Sequence, residues 1–246
     1  MTFFVTGGSG GIGGAIVLDA LRRGHDVAFT MHEDAPAAEA LLAEAARIAP
    51  AQRCRSYPLD VRDSADVEKV ADAVLEDFED VHALVINAGI TTSRVAANMT
   101  DEEWRAVIDT NLTGAFFVCR QFLPALLANR FGRIIFMSSI SHRGFTGHAA
   151  YAASKAGLLG LSATLAKEYG RRGITSNVVA PGAIETGMTT RSLSDTYREW
   201  WLKFCPVGRL GRAEEVARLV TFLASEEAAF INGQAIDIDG GTGWPP

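Results

Sequence analysis

The sequence predicts a doubly wound α/β fold, a parallel sheet with helices on both faces. Three observations predict it. Short apolar runs alternate with longer stretches of helical spacing from one end of the chain to the other. A glycine-rich turn, VTGGSGGIGGA at residues 5–15, joins the first apolar run to the first helical stretch. No linker, repeat or low-complexity segment interrupts the 246 residues, so the alternation belongs to one domain spanning 1–246.

The elements follow in order. FFVT at residues 3–6 is a short strand. Residues 15–24 space Ile16, Leu18 and Leu21 on a helix and stop at a glycine. DVAFT at 26–30 is the second strand, and the alanine-rich stretch 36–50, bounded by prolines, the second helix. A third strand is expected at 53–61, and a helix at 64–78 opening on a serine cap. HALVINAG at 82–89 is a buried strand running into a glycine loop. Residues 100–129 form one long helix or two, with Thr100 and Glu103 spaced as a capping box. Strands at 133–139, 174–182 and 234–241 and helices at 149–170 and 213–225 complete the pattern. Strands separated by helices pair in parallel and are covered on both faces.

Composition narrows the class. The chain carries a net charge of −6, with 48% hydrophobic and 21% charged residues. That balance argues against nucleic acid or an anionic membrane as partner, and no apolar run approaches the ~18 residues of a membrane span. Residues 1–6 read as a strand rather than a signal peptide. Cys54, Cys119 and Cys205 are an odd number without C-x-x-C spacing, as expected for free thiols in a reducing cytoplasm. No metal site is read from the sequence.

The glycine turn has a physical purpose. In a doubly wound sheet the ligand crevice lies at the carboxyl ends of the strands, where strand order reverses. A helix N-terminus there offers free N–H groups and a partial positive charge to a phosphate. A side chain on the turn would hold the phosphate away. The turn Gly7, Gly8, Ser9, Gly10, Gly11, Ile12, Gly13 is therefore a candidate cofactor cradle. A second candidate site is the pair Tyr151 and Lys155, four apart on one helix face. A tyrosine with a pKa near ~10 is a poor acid or base at neutral pH. A neighbouring ammonium favours tyrosinate and lowers that pKa, so the phenol can give a proton to a carbonyl oxygen or take one back. A serine hydroxyl at a strand end can hold the same oxygen.

The glycine spacing is T-G-x-x-x-G-x-G at Thr6, Gly7, Gly11 and Gly13. With NAG at Asn87–Gly89, Asn111, the serines Ser138 and Ser139, Y-x-x-x-K at Tyr151–Lys155 and PG at Pro181–Gly182, in that order over the whole chain, the sequence resembles the short-chain dehydrogenase/reductase family. The resemblance implies a Rossmann-type sheet of about seven strands and a nicotinamide cofactor. It implies Asn111, a serine, Tyr151 and Lys155 as the catalytic set, with Asn111 supporting a proton relay to the lysine. Counting back from Tyr151 points to Ser138; counting along the strand from Arg133 points to Ser139, which we choose because loops absorb deletions. By the same resemblance Asp60 and Val61 contact adenine, and Asn87, Ala88 and Gly89 line its ribose, with Thr110 packed beneath. Pro181, Gly182, Ile184 and Thr186 meet the nicotinamide.

An acidic side chain ending the second strand would bind a ribose 2′-hydroxyl and repel a 2′-phosphate. Met31 holds that position, and His32 follows where NADP-users often carry arginine or a hydroxyl residue. Glu33 and Asp34 act the other way, and Gly10 stands where NADP-dependent relatives commonly have a basic residue. The balance predicts NADP(H), with NAD(H) as the alternative.

The C-terminal third resembles 3-oxoacyl-[acyl-carrier-protein] reductases of fatty-acid and polyketide synthesis. That implies a ketoreductase acting on a 3-oxoacyl thioester, with an acyl carrier protein as partner and a homo-oligomer, dimer or tetramer, built through the long helices and last strand. Arg130 and Arg172 match positions used to dock the acidic carrier. Residues 185–210 match a substrate lid, in which Trp200, Trp201 and Phe204 either pack the lid on the body or a neighbouring subunit or offer an apolar wall to a long acyl chain. His142, Arg143 and Phe145 border the same mouth. Three alternatives remain open. They are a dehydrogenase of a small alcohol or sugar, a non-catalytic dinucleotide-binding regulator, and a dehydratase or epimerase of the extended branch.

Overall fold

The computed structural model describes residues 1–186 and 195–243. Its first strand, β1 (Thr2–Val5), is buried along its whole length. Phe3 and Phe4 point to opposite faces, as neighbours on a strand must, yet neither is more than 1% exposed. Both faces of the sheet are therefore covered. The helix α1 (Gly11–Arg22) leads to β2 (Asp26–Met31), α2 (Ala35–Ile48) and β3 (Cys54–Pro58). Then follow α3 (Ser64–Phe78), β4 (Ala83–Ile86), α4 (Asp101–Ile108), α5 (Gly114–Asn129) and β5 (Gly132–Met137). The helix α6 (Ala149–Tyr169), β6 (Ile174–Pro181), β7 (Ile184–Glu185), α7 (Asp195–Phe204), β8 (Gly211–Arg212), α8 (Ala213–Ala224) and β9 (Ala235–Ile238) complete the chain.

Seven strands form one parallel sheet in the order β3-β2-β1-β4-β5-β6-β9. Strand order reverses between β1 and β4, which pair in the register Phe3↔Ala83. One face packs Phe3, Val5, Val27 and Phe29 against α1 and α8 through Ile16, Leu21, Val216 and Val220. The other packs Phe4, Ile134 and Phe136 against α3, α5 and α6 through Val74, Phe122 and Leu158. The Phe4 and Phe122 rings meet at 4.5 Å. Each such side chain contributes about 1.5–3 kcal/mol when fully buried, and the two layers hold the strand ends rigid where the loops emerge.

Several boundaries differ from the sequence expectation. Asp63, not Ser64, caps α3, accepting from the amides of Ala65 and Asp66. Ser64 becomes the first helical residue, and its hydroxyl accepts from Arg120 Nη2 at 2.9 Å. The expected long helix is broken by a π turn at Asp109–Thr113 that separates α4 from α5. The strand expected at 53–61 leaves the sheet after Pro58, and the one at 133–139 after Met137, so Asp60, Ser138 and Ser139 lie on loops. The two-residue pair β7–β8, not foreseen, ties the start of the lid segment to its end. Residues 187–194 of that segment lie outside the described residues. No helix among the described residues is long and apolar enough to cross a membrane.

Gly173 is a tight point of the frame. Its φ is +83°, and a Cβ there would lie 2.2 Å from the Arg130 carbonyl oxygen. We expect Gly173→Ala to cost roughly 3 kcal/mol, from left-handed strain and overpacking together, read as a lowered urea midpoint. An unchanged midpoint would show that the Arg130 turn yields freely.

Candidate active site

The glycine turn and the NAG loop emerge side by side at the reversal of strand order. The Thr6 hydroxyl accepts from the amides of Asn87 and Ala88 at 2.9 and 3.0 Å. Asn87 Nδ2 donates back to the carbonyls of Thr6 and Gly7 at 3.0 and 2.9 Å. Gly7 has a φ of +62°, and a Cβ on Gly13 would lie 2.2 Å from the Gly7 carbonyl oxygen, so both positions exclude side chains. Gly8 donates to the Thr30 carbonyl at 2.8 Å, pinning the turn to β2. Gly10 caps α1 without a side-chain hydrogen bond, and no acidic residue stands in the first turn. The first amides of α1 are thus open to an anion.

A crevice of about 430 Å³ runs from this turn past Asn87, Ala88 and Gly89 to Tyr151 and Lys155. Ser9, Gly10, Gly11 and Ile12 form one wall, and Pro181 and Thr186 the facing one. The Thr186 side chain lies 3.6 Å from where a Gly11 Cβ would be. Gly182 sits against Asp239, and Ile184 is buried in β7. The bare cradle and the uncapped helix start opening on this crevice fit the pyrophosphate of a dinucleotide.

Tyr151 and Lys155 face the crevice from α6. Lys155 Nζ donates to the Met137 carbonyl at 2.7 Å and lies 5.6 Å from the centre of the Tyr151 ring. Burial pulls the Lys155 pKa down to about 8. Burial pushes Tyr151 up, opposed by a hydrogen bond from the Ser139 side chain. This differs from the expectation that the ammonium would lower the phenol: in the dry pocket desolvation dominates, and both groups move toward their neutral forms.

The two serines separate by partner. Ser138, 5% exposed, also borders the crevice but spends its hydroxyl on the Lys155 carbonyl at 2.9 Å. Ser139 accepts from the Ser141 amide at 3.1 Å, and its side chain tempers the upward shift of the Tyr151 phenol; the residues lining the crevice include Ser138 and not Ser139. Asn111, buried in the π turn, accepts from the Ile90 amide at 2.8 Å. Its Nδ2 donates to the Ile90 carbonyl at 2.9 Å and to Ser154 Oγ at 3.0 Å.

Asp60 receives Arg62 in a two-pronged contact, with Nη2 at 2.6 Å, and is held at a pKa of about 2 chiefly by it. Val61 packs into the space left by Gly114. The Thr110 hydroxyl turns back to the Ala106 carbonyl at 2.8 Å. His32 stands beyond β2, 3.6 Å from Asp60 and 3.8 Å from Glu33. His142 Nδ1 donates to the Ser139 carbonyl at 2.7 Å, while Arg143 reaches Asp237 and the Gly243 carbonyl. Trp201 is buried against Ile140 and Leu210, whereas Trp200 is partly open and stacks on exposed Phe204. Arg130 and Arg172 precede β5 and β6, at the sheet end remote from the crevice.

The sequence reading missed Arg62, Ser154 and His148. Ser154 Oγ donates to the Tyr151 carbonyl at 2.8 Å while accepting from Asn111, a link across 43 residues that periodicity cannot show. The His148 ring packs edge-on to Tyr151, and its Nδ1 is buried without a partner, as is Thr91 Oγ1.

Comparison with known proteins agrees with this geometry. A family model described as enoyl-(acyl carrier protein) reductase matches residues 7–243. The chain is 44% identical over 238 residues to the 3-oxoacyl-[acyl-carrier-protein] reductase FabG of Escherichia coli (strain K12), covering 96% of this chain and 95% of that protein. It is 41% identical over 240 residues to the 3-oxoacyl-[acyl-carrier-protein] reductase MabA of Mycobacterium bovis, covering 97% and 91%. The solved structure of levodione reductase superposes with a TM-score of 0.94 at 31% identity, covering 98% of this chain and 97% of that one.

The buried lysine makes a pH prediction. Between about pH 8 and 10.5 the unfolded chain binds more protons at residue 155 than the folded one does, so stability rises with pH across that window. Lys155→Met removes this slope. Urea midpoints of the two proteins should converge from pH 7 to 10.5, the wild type gaining on the variant; parallel midpoints would contradict the assigned burial.

Proposed function

The chain belongs to the short-chain dehydrogenase/reductase family and is an oxidoreductase of that kind; from this premise we propose that it reduces a 3-oxoacyl thioester to the 3-hydroxyacyl thioester with NADPH. The observation that carries the reading is that Tyr151 and buried Lys155 line one crevice with the glycine turn.

The chemistry follows from the residues. A bound reduced nicotinamide supplies hydride to the carbonyl carbon. The Tyr151 phenol, kept protonated by burial, gives its proton to the carbonyl oxygen. The Ser139 hydroxyl holds the same oxygen as negative charge develops on it. Lys155, with a pKa of about 8, is still mostly an ammonium at neutral pH, and it favours the phenolate that forms. Asn111 has its amide fully engaged by Ile90 and Ser154. It therefore fixes the Tyr151 turn rather than binding substrate. Gly89 passes close to both groups: a side chain there would begin 3.2 Å from Asn111 Oδ1 and 3.3 Å from Lys155 Nζ, so its bareness lets the loop lie against them. A hydroxyl pair aimed at one oxygen suits a ketone. Reduction of an enoyl double bond, named by the family model, would deliver its proton to carbon.

For the cofactor, Asp34 is committed as the cap of α2, accepting from the Ala37 amide at 3.1 Å, and Met31 is apolar. The carboxylates near the end of β2 are committed or apposed to a base: Asp60 is held by Arg62, and both Asp60 and Glu33 stand within 3.8 Å of His32. This supports NADP(H) over NAD(H). For the carrier, Arg130 and Arg172 form a basic edge with Arg171, about 20 Å of strand from the crevice. An acidic carrier docked there would span that edge or serve the crevice of a neighbouring copy. Exposed Phe116 on α5, Phe222 on α8 and Phe230 before β9 support association of copies through those elements. Trp200 and Phe204 form the apolar wall for the acyl chain.

Levodione reductase, so close in structure, favours a second reading, reduction of a ketone that is no carrier thioester. Cofactor oxidation with acetoacetyl thioesters decides. We expect NADPH to be preferred over NADH at least tenfold in kcat/KM, about 1.4 kcal/mol, and the carrier-bound thioester over the free one. No turnover of any thioester while NADPH still binds would favour the second reading.

A further inference from the structure

Ser139 does not stand alone. It caps a single helical turn, Ile140–Arg143. Its hydroxyl accepts from the Ser141 amide at 3.1 Å, and its carbonyl accepts from the His142 amide at 3.0 Å and from His142 Nδ1 at 2.7 Å. The direction of the Ser139 hydroxyl is therefore the direction of this turn. The turn is closed at its far end by Arg143, followed by Gly144 at a φ of +105°.

Arg143 reaches a distant part of the chain. Its Nη2 donates to Asp237 Oδ2 at 2.5 Å and its Nη1 to the Gly243 carbonyl at 2.7 Å. Asp237 lies on the edge strand β9. The next residue, Ile238, accepts from the Gly182 amide at 3.0 Å. Asp239 follows, binding the amides of Gly241 and Gly243 at 2.9 and 2.7 Å. Its Cβ lies 2.8 Å from where a Gly182 side chain would begin. One short stretch, 237–243, thus holds both the turn carrying Ser139 and the Pro181–Gly182 loop of the crevice.

We propose that Arg143 and Asp237 are a positioning pair for the reaction, clamping the turn that Ser139 caps and with it the direction of the Ser139 hydroxyl. The inference rests on the catalytic reading of Ser139 and is indifferent to which ketone is the substrate. Arg143 then acts from behind the serine rather than on substrate or carrier. The pair is partly solvated, with side chains 29% and 28% exposed, and such pairs add little stability. Its weight falls on geometry: an arginine fork shared by a carboxylate and a carbonyl sets direction as well as distance. A misplacement of about 1 Å can cost 10²-fold in rate.

The test uses the intact enzyme, NADPH and any ketone the wild type reduces, so failure of the thioester reading leaves it in force. Asp237→Ala should lower kcat about ten- to a hundredfold, with NADPH affinity and unfolding midpoint kept. Asp237→Asn, which keeps a side-chain oxygen for Arg143 Nη2 and leaves the Gly243 contact intact, should recover most of the loss. In a Ser139→Ala background, Asp237→Ala should cost nothing further, because the residue acts through the serine. Unchanged kcat, or an equal loss in the Ser139→Ala background, overturns the proposal. Should Asp237→Ala unfold, Arg143→Met decides in its place: a fall in kcat that vanishes in the Ser139→Ala background supports the clamp, and an unchanged kcat contradicts it.

Discussion

The structure depends on a four-hydrogen-bond stitch between Thr6 and Asn87. The Thr6 hydroxyl takes two amides of the NAG loop, and the Asn87 amide takes two carbonyls of the glycine turn. This ties the end of β1 to the end of β4 where strand order reverses, the one place where two adjacent loops diverge and leave a crevice. Both groups are partly buried, so each unmade bond would leave an orphan costing about 1–3 kcal/mol. The glycines follow from the stitch. With Asn87 Nδ2 on the Gly7 carbonyl, Gly13 has no room for a side chain, since a Cβ would stand 2.7 Å from that nitrogen.

On that rigid rim the chemistry is set by dryness. Burial raises the Tyr151 pKa and lowers that of Lys155 to about 8, so the resting pair is nearer neutral than an exposed Tyr–Lys pair would be. A protonated phenol is the form needed for reduction, and the hydrogen bond from Ser139 moderates its shift. Ser138, one residue away, is turned to the α6 backbone and supports the helix instead. Neighbouring hydroxyls thus take different partners, the Lys155 carbonyl for Ser138 and the Ser141 amide for Ser139, once β5 has ended at Met137.

How much was legible in the sequence depends on the range of each contact. The sheet was readable because Phe3 and Phe4 sit side by side in an apolar run, which only two-sided burial tolerates. The cradle and the Tyr151–Lys155 face were readable because turn and helix geometry fix their spacing. The choice between Ser138 and Ser139 rested on counting along β5, and both lie on the loop just past its end. The π turn at Asn111 was not, since one extra residue per turn barely disturbs an apolar period. The choice between Ser64 and Asp63 as a cap was lost because adjacent residues share that ability. Arg143 was expected at the substrate mouth, but its partner Asp237 lies 94 residues away, a pairing no local pattern carries. Ser154 and His148 act through contacts that exist only once α6 is packed.

The measurement that tests the account most directly is the reduction rate of Tyr151→Phe beside its NADPH affinity. The account predicts a fall in kcat of roughly 10²–10⁴, the share of a general acid, with cofactor affinity nearly unchanged because the phosphates are held by the glycine turn. Near-normal turnover in that variant would contradict the assignment of the proton to Tyr151 and, with it, the reading of the crevice as a ketone-reducing site.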